Sequence, residues 1–570
     1  MPERIQAIDK GKIMKRKKII MCLTAAALML SACSNDNKSS TQSKHTSSTA
    51  VVVKNNSILT VGVGAAIPTL DPGVINDATA WRVNNDLFEG LVTLTQDDRI
   101  VPALASSWEI SKDGTVYTFH LRENAKWSNG NPVTAGDFVY AFRRNLDPNT
   151  PNLYASFYKV IKGASAIIDN ESKDFNQLGV KAVDDHTLQI TLNHPVSYFL
   201  DLMLIPASEP LYPPAVKANP TGWANVGSIV SNGPYELKEW VPNGHLSVVK
   251  NPYYWNAPKV AIEEVKFLPI VNPSSEYDLY KTGGMDFTWT VPSGQSDQYY
   301  KDKFGKNFHT NSYIGNEYFW FNFKDPNFAK WQVRKALTMV VDRKAIVDNI
   351  TRMGESPSYS VLPDGAEGGI YADIYKKAMP EYAWVNESMA KRNSQAKALL
   401  ESAGYSSQHP LRFTVLYDTH PLKRQIVLAV ISMWQQAFGD LIKVDIENQE
   451  WKVFLQSMNT HQFQMGLLDW KADYNDASDW VELITCGSSN NLGLSCNKTV
   501  TDNFNKAIST ADKSQSQAYM QQAIVAAMND YIILPLYNLS YNHLVSDRVA
   551  GYDSQNNHIN QQYSKWFSLT

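Results

Sequence analysis

An eighteen-residue run, "LKRQIVLAVISMWQQAFG" (422–439), sets apolar side chains at helical spacing and leads at once into the alternating, β-branched "IKVDIEN" (442–448). A helix feeding a strand without a long loop restricts a chain more than any composition does, because each element must bury one face against the other kind. The same alternation recurs along the chain. "ILTVGVG" (58–64) reads as a strand and "TLDPG" as a turn. "WEISKDGTVYTFHLR" reads as two strands joined at Lys112-Asp113-Gly114. Thr134, with Asp137 three residues on, opens a helix that Pro148 closes. Further helical patterns lie at "WQVRKALTMVVDRKAIVDNI" (331–350) and "SQAKALLESAG" (394–404). The chain is α/β, without a short internal repeat.

The N-terminal part has a different character. Met1 to Ile13 carries acidic residues and no signal pattern, whereas Met14 opens a cationic cluster (Lys15 to Lys18), an apolar run from Ile19 to Leu30, and the small residues Ser31 and Ala32. This is the layout of a secretory signal starting at Met14. Its apolar run is too short to span a bilayer. Leu30-Ser31-Ala32-Cys33 resembles a bacterial lipobox, which implies removal of residues 1–32 and lipidation of Cys33. Residues 33–56, rich in Ser, Thr, Asn and Lys, read as a tether with too little apolar surface to order itself.

More than five hundred residues remain, too many for one hydrophobic core, so two or three lobes are expected. The whole chain has a formal net charge of −3, and loss of the cationic leader makes it more acidic. Without basic runs, nucleic acid is not an expected partner. Fifteen Trp and twenty-eight Tyr suit either large cores or a recognition cleft. Beyond Cys22 and Cys33, only Cys486 and Cys496 remain. An exported setting and the loop-like "GSSNNLGLS" between them suit a short disulfide, and two free thiols are the alternative. No zinc-protease, phosphate-loop or nucleophile-elbow motif occurs, and the eleven histidines are scattered. No catalytic residue, metal site or cofactor is expected.

At "PALASSWEISKDGTVYTFHLRENAKWSNGNPVTAGDFVYAFRRNLDPNTPNLYASF" the chain resembles the oligopeptide-binding branch of the extracytoplasmic solute-binding proteins of ABC transporters. The likeness continues through "LGVKAVDDHTLQITLNHPVSYF", "SNGPYELKEW", "KNPYYW", "AKALLESAGY", "IENQEWKVFL", "WKADYNDASDW" and "IILPLYNLSYNHLV". The resemblance implies a three-lobe periplasmic-binding-protein-like body of type II, cluster C, with a ligand cleft between lobes I and III that closes about a hinge. Lobe I would comprise 57–90, 216–314 and 541–570, lobe II 91–215, and lobe III 315–540.

The resemblance also places ligand contacts. Asp473 would hold a peptide's α-amino group by a charge-assisted bond; read alone, it would only cap a turn before Asn475 and Asp476. The backbone of Asp469, Trp470 and Lys471 would pair with an extended peptide, faced by the loop Asp77, Ala78, Thr79, Ala80 and Trp81. Trp451 and Phe157 would wall side-chain pockets, with plain core packing as the alternative. Where the family meets a peptide's C-terminal carboxylate, the sequence departs from it: Leu467 and Met458 stand at basic positions and Lys423 at a histidine. Arg424 and Arg352 are substitute candidates. The implied function is a lipid-anchored monomer on the extracytoplasmic face of the cell membrane, capturing oligopeptides for permease subunits with cytoplasmic ATPases. The resemblance implies no enzymatic activity. A dedicated receptor for one signalling or murein peptide, and a surface hydrolase or adhesion lipoprotein, are the alternatives.

Overall fold

The computed structural model describes residues 57–378, 380–510, 512–552 and 558–570. The signal, Cys33 and the tether expected up to residue 56 lie outside them. Three larger sheets organise the described chain. The first is assembled from distant segments: Ile58–Gly62 runs parallel to Glu264–Leu268, which continues antiparallel to His245–Lys250 and then Tyr235–Val241. A carboxylate clamps this assembly. Asp286, fully buried, takes Arg548 Nε and Nη2 at 2.6 and 2.7 Å and the Thr60 N–H at 2.9 Å.

The second sheet is antiparallel, in the spatial order Ala105–Ile110, Val116–Leu121, Thr187–Thr191, Val180–Asp184. Its hairpin forms where the sequence places it, and Tyr117, Phe119 and Leu121 alternate inward along one strand. The helix Ala135–Asn145 packs against this sheet. Its start is fixed by a capping box in which the Asp137 carboxylate accepts the Thr134 N–H at 2.9 Å.

The third sheet has six strands in the order Ser356–Pro357, Ile533–Leu544, Phe308–Phe321, Met465–Lys471, Leu411–Asp418, Ile442–Gln449. Leu411–Asp418 and Ile442–Gln449 are parallel neighbours joined by the helix Pro421–Phe438. That helix buries Ile426, Val427, Val430, Ile431, Trp434 and Phe438 on one face, as its periodicity predicts. The pattern at 331–350 is not one helix. A helix over Trp331–Met339 stops, Asp342 caps a new turn by accepting the Ala345 N–H at 3.0 Å, and a wider turn over Val347–Thr351 ends at Arg352, whose φ is 62°. Buried Arg343 accounts for the break: its guanidinium is occupied by the carbonyls of Pro535, Thr338 and Val341. Among the described residues no helix is long and apolar enough to cross a membrane.

Candidate functional site

Between the first and third sheets lies a cavity of ≈ 310 Å³ with aromatic walls, among them Trp81, Tyr154, Trp289, Trp451, Trp470 and Tyr541, and with charged groups at Asp77, Glu317, Lys423, Asp469, Lys471 and Asp473. One strand edge opens into it. Met465–Lys471 pairs along its whole length with Gly315–Phe321, but on its other side only Met465 and Gly466 pair with Val415 and Leu416. From Leu468 onward the strand lines the cavity with a free edge. Such an edge is a template for an added extended strand.

At the end of that edge the Ala472 N–H bonds Ile314 O at 2.8 Å, and Asp473 follows. Its side chain is buried. Oδ1 accepts the Tyr154 hydroxyl at 3.2 Å, and Oδ2 has no hydrogen-bond partner. Asp479, also buried, takes the Asp473 N–H at 2.9 Å and the Trp470 indole N–H at 3.3 Å. No lysine or arginine pairs with either carboxylate among the ion pairs of the described residues. Burial, and for Asp479 also the neighbouring Asp473 charge, therefore push both far above the ordinary carboxylate range. Two carboxylates so placed must share a proton or receive a cation.

Across the cleft, Asp77 accepts the Ala80 N–H at 3.0 Å. Burial drives it up to about 6, against the opposing pull of that N–H and of Trp451. Asp77 to Trp81 is therefore not a loop. Asp77 is the cap of the helix Ala78–Leu87, and Ala78, Thr79 and Trp81 reach the cavity from its first turn. Ala80 is fully buried and does not line the cavity. Trp451 does line it, stacked on Phe454 at the start of the helix Trp451–Asn459.

Several expected contacts lie elsewhere. Phe157 is packed against Tyr154 and Tyr474 and borders a second cavity of ≈ 450 Å³. Tyr154 is the aromatic that reaches the cleft, its ring 6.3 Å from both Trp81 and Trp470. Arg424 and Arg352 are exposed and line neither cavity, and Arg352 donates to Gly294 O at 2.8 Å. Leu467 and Met458 are fully buried core residues. Lys423 reaches the cleft but is already held by Glu317 and Asp469. Cys486 and Cys496 are disulfide-bonded. The loop they close sends Asn490 and Leu492 into the cleft, and its Ser489 hydroxyl contacts Ser156 at 2.8 Å and Leu153 O.

Sequence reasoning missed Tyr154, Glu317 and Asp479. Asp479 was in reach, six residues after Asp473 in the same block. Glu317 had one signal, a lone acid in the aromatic run "NEYFWF".

The chain is similar to known proteins. Residues 99–491 match the model of the bacterial extracellular solute-binding proteins, family 5. The periplasmic oligopeptide-binding protein OppA of Escherichia coli is 35% identical over 491 residues, covering 86% of this chain and 88% of that protein. The crystal structure of Haemophilus influenzae OppA in complex with the peptide RPPGFSPFR superposes with a TM-score of 0.86 at 32% identity, covering 90% of this chain and 99% of that one. The murein tripeptide-binding protein MppA of Escherichia coli, at 33% identity and 90% coverage of this chain, gives 0.84 with 98% of its own chain covered. The unliganded open form of MppA, with 97% covered, gives only 0.60. The present structure thus superposes less well on that open form than on the other MppA structure. The fold is the mixed α/β fold of OppA-type periplasmic binding proteins, and the chain belongs to family 5 of the bacterial extracellular solute-binding proteins.

Proposed function

We propose that this protein captures oligopeptides outside the cytoplasm and delivers them to the membrane permease of an ABC transporter driven by cytoplasmic ATPases. The observation that carries this reading is the Asp473–Asp479 pair, buried without a cation at the end of a free strand edge. An extended peptide supplies both missing partners. Its backbone pairs with the edge at Asp469, Trp470 and Lys471, and its α-ammonium neutralises Asp473. Trp81, Tyr154 and Trp451 then enclose side chains by area and shape, which suits binding of many sequences. The body is read as three lobes, with lobe I closing on lobe III about the peptide. No bond is made or broken. The names of the relatives agree with this reading, since OppA proteins bind oligopeptides and MppA a murein tripeptide.

Mass spectrometry of ligand released from protein purified natively and then denatured tests the proposal. A mixture of short peptides is expected. A single recurring species would make the protein a dedicated receptor for one signalling or murein peptide, and the absence of peptide from verified, undialysed protein would overturn the reading.

Localisation is part of the same proposal: a monomer anchored by lipid on Cys33 at the extracytoplasmic face of the cell membrane. Cys33→Ala should move the protein from the membrane fraction to the soluble fraction. Retention of the variant after carbonate and salt washing would refute the anchor.

A further inference from the structure

A second charged cluster lines the cleft beyond the amine position. Glu317 and Asp469 are direct partners across two antiparallel strands, an arrangement that like charges disfavour. Lys423 sits between them, its Nζ 2.8 Å from Asp469 Oδ1 and in contact with Glu317 Oε2. Lys471 Nζ lies 3.4 Å from Asp469 Oδ2. Asp418, buried beside them, is the third carboxylate, and burial together with Lys423 and Lys471 holds His420 down to about 4, hence neutral. Three carboxylates against two ammonium groups leave one negative charge in excess.

The excess has an address. Glu317 is 2% exposed and lines the cavity. Its Oε2 takes Lys423 and, at 3.4 Å, the Tyr537 hydroxyl, while Oε1 has no hydrogen-bond partner. A buried carboxylate oxygen without a donor is costly. Burial accordingly pushes Glu317 up to about 7, even with Lys423 against it. Lys423 is not available to a ligand carboxylate. Two carboxylates already share it, and burial fails to discharge it because Asp469, Glu317 and Asp418 hold it well above its ordinary range. A fourth anion would leave the cluster with two negative charges in excess.

We propose that Glu317 and Asp469 form an acceptor subsite for a basic side chain of the bound peptide, with Lys423 as the counter-ion that positions them and not as an anchor for the peptide's C-terminus. The inference rests on the cleft being a peptide site. At about 3.3 Å per residue, Asp469 lies roughly 13 Å along the strand from Asp473, opposite the fourth or fifth residue of an extended peptide.

Calorimetric titration of ligand-stripped protein with C-terminally amidated alanine pentapeptides, carrying Lys, Ala or Glu at position four or five, tests this. At one of the two positions Lys should bind about 10- to 100-fold more tightly than Glu, with Ala between them. Glu317→Gln should shrink that ratio to within about threefold. Glu bound as tightly as Lys at both positions overturns the subsite, and the unmodified protein decides this even if the variant does not fold. An undiminished ratio in a folded Glu317→Gln variant also overturns it. Failure of every pentapeptide, including the alanine parent, overturns the peptide reading itself and the subsite with it.

Discussion

Replacing Asp473 with Asn is expected to weaken binding of free-amine peptides by roughly 30-fold to several thousandfold, the equivalent of about 2 to 5 kcal/mol for truncating an enclosed charge pair. The ammonium loses its water on entering the cleft, and only the carboxylate of Asp473 and its neighbour Asp479 replaces that solvation. Acetylating the peptide N-terminus should cost the unmodified protein a comparable amount yet cost the Asn variant little more, since both changes remove one interaction. Calorimetry of the four combinations decides it. Additive losses would place the amine elsewhere. The pH dependence has a definite sign as well. Burial keeps the empty pair protonated above the ordinary carboxylate range. An arriving ammonium expels that proton, so affinity for free-amine peptides should rise with pH from that range upward. The rise stops only where the peptide amine itself deprotonates, near 8. Acetylated peptides should show no such climb.

The second large effect is on stability. Asp286→Ala should destabilise the protein by about 3 to 5 kcal/mol, measured as a lowered midpoint in urea with an unchanged slope. Arg548 would keep its place among buried groups with its bidentate partner gone, and the Thr60 N–H would lose its acceptor. The carboxylate joins residues 58–62, 286 and 548, so its loss also loosens the pairing of three segments distant in sequence. A midpoint shift worth less than about 0.5 kcal/mol would show that the strand ladder alone holds them.

The hairpin at 105–121, the capping box at Thr134 and the helix at 421–438 were legible because their causes are local: turn residues, one capping pair, one apolar stripe. The break at Val340–Asp342 was not, because it depends on Arg343 reaching carbonyls as distant as Pro535. The cleft divides the same way. Trp451, Trp470 and Asp473 could be placed by resemblance, since they sit in contiguous matched blocks. The environment of Lys423 could not, because Glu317 and Asp469 are 106 and 46 residues away and meet it only across the sheet. Phe157 and Tyr154 show the limit at short range. Both are aromatic and three residues apart, and only the turn at Ala155–Val160 decides which faces the cleft.

The clamp at Asp286 has a mechanical meaning. The chain enters the first sheet at Ile58, through a strand whose five residues all pair in parallel with Glu264–Leu268. Ile58 O is also gripped by Arg548 Nη2. A pull applied before Ser57 along the strand axis loads every rung of that ladder together, in shear, whereas a pull across it would peel the rungs one by one. The guanidinium lies at the first rung, where peeling would begin. Drag on a body held by its N-terminal segment would therefore be borne by the sheet as a whole, five rungs and a guanidinium together.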